Sequence, residues 1–393
     1  MPTSKYQWPE IDDEIESEVL TQLRRCVSIY DNSDVFGEFE RVFRELHGRR
    51  FALLTNSGTS ALASIFWSLD LPPDATVVVP AYTFFATFTP LLYRPVRIVL
   101  CDCDDSGNIT PETLRDVMDD SVRAVVLTHM WGIPADIAAI KAICDDAGAL
   151  LIEDCSHAHG AANGTVVGTQ GYAAAWSLQG AKTITGGEGG VLCTDDEGLY
   201  YRSLLYGHYN KRCSSEIPRS HPLSVFSKTG FGLKFRAHPL AIALALALLR
   251  RLDSILNERN LTAEVFSSAL EASSAVRHAF DLPGRKSWYA FPMVARTPEI
   301  AASIMKLATD LDAPDFDMPG STGDVSGYPL LHSLPLPMHG LVAQVDWTRS
   351  RFTNARSLTS RLIKVPVWTM SDRHGSVIGH YAEVLKRVAH AGS

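Results

Sequence analysis

Lys182 lies in the stretch WSLQGAKTITGGEGG (176–190), between a small-residue lead-in and a cluster of four glycines around Glu188. A long cationic side chain beside backbone with so few side chains admits three readings: a phosphate loop, a flexible linker, or a covalent cofactor site. GGEGG leads into VLCTDD, which reads as a strand, so it is not the dinucleotide fingerprint that opens a helix. Apolar runs on both sides argue against a linker. A lysine desolvated in a cleft forms a Schiff base with a carbonyl. Considered alone, though, such a lysine is more often a surface residue.

Two further groups fall where strands should end. Asn56-Ser57-Gly58-Thr59-Ser60 lies between the apolar run FALLT and a segment of helical spacing. Small residues with free amides and hydroxyls at a helix start form an anion site, and a plain capped turn is the alternative. Glu153-Asp154 closes the apolar run ALLI. Two acids at the end of a buried strand need a cation nearby. Magnesium lacks its Walker A loop here, a protonated heterocycle fits, and a solvated acid is the plain account. Taken together, a phosphate cup, an acid for a pyridinium nitrogen and a Schiff-base lysine describe a pyridoxal phosphate site, in which the protonated ring accepts electrons from a substrate carbanion.

The elements that must position these groups alternate. FALLT (51–55), TVVVP (76–80), VRIVLCD (96–102), AVVLTHM (124–130) and ALLIEDC (149–155) are short apolar runs separated by helix-length segments. That rhythm predicts βαβ units and a mainly parallel sheet covered on both faces. In ITPETLRDVM, Thr110 is an N-cap and Pro111 the first helical residue. HPLAIALALALLRRLDSIL (238–256) reads as one long helix. Beyond it Pro and Gly recur and the rhythm breaks, with WYAFPMVAR and IKVPVW as short strands. The expected division is an arm and large domain over 1–254 and a smaller α+β domain over 255–393.

The bulk properties bound the partners. The 393 residues carry 36 Lys+Arg against 44 Asp+Glu, a formal charge of −8, with no long basic run. This counts against nucleic acid, which needs a basic face. The longest apolar stretch, Pro239 to Leu249, is too short for a bilayer, and the N-terminal residues lack a signal-peptide pattern. A soluble cytoplasmic protein without a membrane partner is the expectation. The seven cysteines include no Cys-x-x-Cys pair, so no metal site is expected and reduced, buried thiols are.

These segments resemble the DegT/DnrJ/EryC1/StrS family, fold-type I aminotransferases acting on keto sugars and keto cyclitols, over about residues 14–260 and more weakly beyond. The resemblance implies a seven-stranded-type large sheet and pyridoxal 5'-phosphate as cofactor. It assigns phosphate binding to Gly58, Thr59 and Ser60 in NSGTSAL, and a ring stacked on the cofactor to Phe84 in PAYTFFAT. From IEDCSHAHGA it takes Asp154 as partner of the pyridine nitrogen, and His157 as a contact to the cofactor face or its phenolic oxygen. Ser177 is placed at the phosphate and Lys182 at the covalent link, with the glycines letting backbone crowd the cofactor. Some relatives that dehydrate sugars carry histidine at the lysine position, so lysine here implies transamination from L-glutamate or L-glutamine to a small-molecule keto substrate. The resemblance also implies a homodimer with shared active sites. Members often supply a phosphate-binding asparagine from the partner subunit. Here GFGLKFRAHPLA puts Lys234 at that position, either as a point charge on phosphate or as a solvated residue, with Arg236 and His238 as weaker candidates.

The expected substrate is a nucleotide-linked keto sugar, with a keto cyclitol as the alternative, in amino-sugar, antibiotic or other specialised-metabolite biosynthesis. A regulatory homologue without catalysis would have lost the lysine or the acid, and both are present. Another pyridoxal phosphate reaction, elimination or decarboxylation, is the remaining reading. His129 and Trp131 of HMWG either line the substrate pocket or pack. The loops around 29–37, 206–222 and 315–335 are expected pocket walls, with YGHYNKR (206–212) the most polar of them.

Overall fold

The computed structural model describes residues 4–208, 210–271, 273–279, 281–332, 341–371 and 373–390. Among these, the large sheet has eight strands, ordered Phe51–Thr55, Gly190–Thr194, Ala173–Ser177, Leu150–Asp154, Val122–Thr128, Thr76–Pro80, Arg97–Cys101 and Gln344–Val345. All run in one direction except Gly190–Thr194, which is antiparallel to both neighbours. The seven strands implied by the family resemblance are thus joined by an eighth of two residues, which pairs with Arg97–Ile98 from a distant part of the chain.

Alternation along the strands builds two faces. Leu53, Val77, Val79 and Ile152 join one apolar core, under the helices Gly58–Ser68 and Glu197–Gly207. Ala52, Leu54 and Val191 turn the other way, toward Asp34–His47 and Pro239–Arg250. Val78, Val99 and Leu151 pack against the elements Pro111–Arg115 and Ile137–Asp146 on that same side. Each fully buried valine contributes about 1.5–3 kcal/mol of apolar burial. No helix among the described residues is long and apolar enough to cross a membrane.

The segment expected to be one long helix is two. Pro239–Arg250 ends at Arg251, whose φ of −103° and ψ of 8° break the ladder before Leu252–Leu270 begins. No Pro or Gly marks that break, so helical periodicity runs straight through it. The boundary expected at 254/255 falls in the first turn of the second helix. Beyond it, Val276–His278, Phe291–Ala295 and Leu362–Val365 form a three-stranded antiparallel sheet with its own core of Phe266, Trp288, Trp368 and Tyr381. This region is not closed on itself. Thr322–Asp324 returns to pair with Tyr82–Phe84, as Gln344–Val345 does with the large sheet.

Candidate active site

The C-terminal ends of the parallel strands converge on a cavity of about 410 Å³, the place where open α/β sheets gather ligands. Seven of the residues expected at the cofactor border it: Gly58, Thr59, Phe84, Asp154, His157, Ser177 and Lys182. Two do not.

The phosphate cup is a helix start. Ser57 caps Gly58–Ser68 by accepting the Ser60 amide, 3.1 Å. The Gly58 and Thr59 amides are among the first-turn donors that have no intrahelical carbonyl. A Cβ on Gly58 would lie 2.8 Å from the Ser177 Cβ, and one on Gly190 would lie 2.3 Å from the Ser57 carbonyl oxygen. Both glycines therefore let the turn and the strand pair behind it touch. This revises the expectation for GGEGG, because at Gly190 backbone crowds backbone rather than cofactor. Ser60, expected at the phosphate, does not border the cavity. Its hydroxyl donates to Asn56 Oδ1 at 2.7 Å and accepts from Ser57 at 2.9 Å, and it borders a neighbouring groove with Trp67 and Tyr206 instead.

Asp154 ends its strand buried, facing the cavity. Its Oδ2 accepts from the Thr87 hydroxyl at 2.8 Å and its Oδ1 from the Ser156 amide at 3.1 Å. Thr87 is tied in turn to Thr83 at 2.7 Å. Lys182 is 9% exposed. Its amide donates to the Gln179 carbonyl, 2.8 Å, and its carbonyl accepts from Trp8 Nε1, 2.7 Å. Burial pulls the Lys182 ammonium down to about 8, partly offset by the Asp154 charge. Its Nζ stands 4.5 Å from the centroid of the Tyr289 ring. On Tyr289, His157 stacks at 3.9 Å between centroids and 8° between planes. Burial, and then the Lys182 charge, holds His157 well below its ordinary value, so the ring is neutral. Its Nδ1 accepts from the Trp131 amide, 3.4 Å.

Glu153 points to the opposite face of the sheet. It accepts the amides of Gly168 at 2.6 Å, Gln170 at 3.0 Å and Gly171 at 2.6 Å, and His129 Nε2 at 3.2 Å. Burial alone would raise its pKa, but these donors outweigh it and the net shift is downward. His129 combines both of its expected roles, since it borders the cavity and anchors Glu153. Trp131 is a buried packing residue with a φ of 60°.

Lys234 is absent from this cavity and lines a separate small pocket with Tyr30, His208 and Arg236. Arg236 stacks over the Tyr30 ring at 5.1 Å, and His238 caps the helix that follows it. Among the described residues of the expected pocket walls, only those of the third loop reach the cavity, through Ser321 and Thr322. Tyr209 and residues 333–335 lie outside the described residues. Sequence reasoning did not single out Thr87, Gln179 or Tyr289, and Glu188 only as a letter within GGEGG. Thr87 follows Phe84 by three residues in PAYTFFAT, whereas nothing in SWYAFP marks Tyr289.

The donor set fits pyridoxal phosphate: a buried lysine with a depressed pKa, a carboxylate turned into the same cavity, and open helix-start amides beside the Ser177 hydroxyl. Relatives agree with that fit. A Micromonospora echinospora protein provisionally named L-glutamine:3-amino-2,3-dideoxy-scyllo-inosose aminotransferase is 29% identical over 67% of this chain and 62% of its own length. The L-glutamine:2-deoxy-scyllo-inosose aminotransferase of Streptomyces fradiae is 28% identical over 80% of this chain and 73% of that one. In fold, the chain matches the crystal structure of an aminotransferase from Psychrobacter cryohalolentis with a TM-score of 0.82, 23% identity and 98% of each chain covered. The family model spans residues 9–375, and the chain belongs to the DegT/DnrJ/EryC1/StrS aminotransferase family, whose enzymes depend on pyridoxal phosphate.

Proposed function

We propose that this protein transfers the α-amino group of L-glutamine or L-glutamate to the ketone of a polyhydroxylated ring, a keto sugar or keto cyclitol. The observation that carries the reading is the convergence of buried Lys182 and Asp154 on one cavity that opens at the Gly58–Thr59 helix start. Pyridoxal phosphate held there supplies an electron sink for the charge left on the donor's α-carbon. The Gly58 and Thr59 amides and the Ser177 hydroxyl hold the phosphate against the positive end of the helix. The Asp154 carboxylate, oriented by Thr87 and Ser156, keeps a proton on the ring nitrogen. Near pH 8 Lys182 is divided between amine and ammonium, so its Nζ both removes the α-proton and returns a proton, a role worth about 10²–10⁴-fold in rate. Phe84, His157 and Tyr289 wall the cavity and limit water.

The proposal extends to a cytoplasmic homodimer with shared active sites, serving amino-sugar or antibiotic biosynthesis. Lys234 would then reach the partner's phosphate, a reading supported by its place between the half-exposed Phe231 and Leu233 on one side and the Arg236–Tyr30 pair on the other. Among the described residues lining the cavity, Lys182 is the sole lysine or arginine. The test supplies L-glutamine labelled at its α-nitrogen with either 2-deoxy-scyllo-inosose or GDP-4-keto-6-deoxymannose. Label appearing in an aminated ring, with the keto acid of glutamine in equal amount, supports the transfer, and the ring that accepts it decides the substrate. Carbon dioxide or ammonia release without amination of either ring would replace it by decarboxylation or elimination.

A further inference from the structure

We infer that Tyr289 is the seat of the free Lys182 ammonium: its ring face holds Nζ in place whenever the lysine is not covalently engaged. The inference rests on the reading of Lys182 as the working amine. Nζ lies 4.5 Å from the Tyr289 centroid, within the distance at which a ring quadrupole attracts a cation. No salt bridge to Lys182 is present among the described residues. The ring is also held by its parallel stack with His157, and the Ser287 hydroxyl donates to the His157 carbonyl at 2.7 Å.

The spacing between lysine and ring is set by a third residue. Arg259 is fully buried, and its Nη1 donates both to Thr183 Oγ1 at 3.0 Å and to the Trp288 carbonyl at 3.3 Å. One guanidinium nitrogen thus ties the residue after Lys182 to the residue before Tyr289. The same guanidinium lies 4.3 Å from the Trp8 ring, whose Nε1 holds the Lys182 carbonyl. Tyr289 is therefore a positioning residue, acting through Lys182.

The groups around Nζ decide what the ring adds. Asp154 favours the ammonium, while burial disfavours it. Glu188 borders the cavity but is exposed. Neutral His157 and His159, on the turn after Asp154, bring no charge. The ring quadrupole thus adds an uncharged stabiliser of the ammonium, and removing it shifts Lys182 toward the amine.

The experiment is competitive acetylation of the full-length protein, freed of cofactor, with trace acetic anhydride across a pH series, reading the Lys182 peptide by mass spectrometry. Tyr289→Leu is expected to label about three- to tenfold faster than wild type at a pH below the lysine's pKa. Tyr289→Phe, which keeps the ring, is expected to label like wild type. A folded Tyr289→Leu protein with the wild-type profile would overturn the proposal, as would a Tyr289→Phe shift equal to the leucine one. If Tyr289→Leu does not fold, pentafluorophenylalanine at 289 keeps the shape and removes the attraction, and the same acceleration is expected. An unchanged profile there also overturns it. Borohydride mapping of the cofactor-loaded protein separately tests Lys182 as the attachment point, so failure of the functional reading is told apart from failure of the seat.

Discussion

The strand Leu150–Asp154 ends in two adjacent carboxylates, and the two faces of the sheet treat them differently. Glu153 is enclosed and saturated, with three backbone amides and His129 filling its oxygens. Asp154 receives one hydroxyl and one amide and turns its remaining acceptor capacity into a cavity. A carboxylate with every lone pair answered locks a loop to a strand, and here that loop is 168–171. A carboxylate left short of donors is held ready for something that enters. The same strand end thus carries an acid locked into the fold and an acid open to the cavity, separated only by the alternation of side chains.

The comparison can be broken from either face. The largest expected effect lies on the cavity side. Lys182→Ala removes the proton carrier and should lower turnover by at least about 10²–10⁴-fold, measured by keto-acid release, with the melting temperature near wild type. Asp154→Asn should follow, with a loss in kcat of about 10²–10³ for a displaced electrostatic partner and again little change in melting. On the opposite face the signature reverses. Glu153→Gln sets an amide NH₂ against donors that need an acceptor, and should reduce folding stability by about 3–5 kcal/mol, read by urea unfolding, while folded molecules keep their turnover. A Glu153→Gln protein that loses turnover without losing stability would erase the distinction.

Gly190→Ala tests the contact between the phosphate turn and the strand behind it. The added Cβ meets the Ser57 carbonyl, and the expected cost is about 1–3 kcal/mol, with faster loss of cofactor on dialysis. The smallest effect comes with acid. Burial lowers His47 to about 4 and His159 and His208 to about 3, against about 6.5 when unfolded. The unfolded chain therefore binds more protons, so this contribution is whole above about pH 6.5 and is lost as pH falls toward 4 and then 3. Urea midpoints measured through that window should decline. A flat profile would mean that these rings protonate in place.

Much of this was legible in the sequence because apolar runs and strand-end chemistry are local signals. The strands at 51–55, 76–80, 97–101 and 150–154, the cap at Thr110, and the grouping of Asp154, His157, Ser177 and Lys182 all follow from residue types within a few positions of one another. The strand Ala173–Ser177 was not legible. Three alanines in a row carry no alternation or β-branched signal, and only pairing with Leu150–Asp154 and Gly190–Thr194 makes them a strand. Tyr289 was hidden for a similar reason, since its role comes from a segment more than one hundred residues beyond Lys182 that folds back across the cavity. The two-residue strand Gln344–Val345 depends wholly on the edge it finds at Arg97. Ser60 shows the limit of a motif, since its hydroxyl is engaged by Asn56 and Ser57 within the same turn.

The most direct measurement reduces the protein with borohydride in the presence of pyridoxal phosphate, digests it, and maps the phosphopyridoxyl group by mass spectrometry. The account predicts the group on the peptide carrying Lys182, and its disappearance from that peptide in Lys182→Ala. Attachment at another lysine, or none after full reconstitution, would contradict the site described here and with it the proposed transfer.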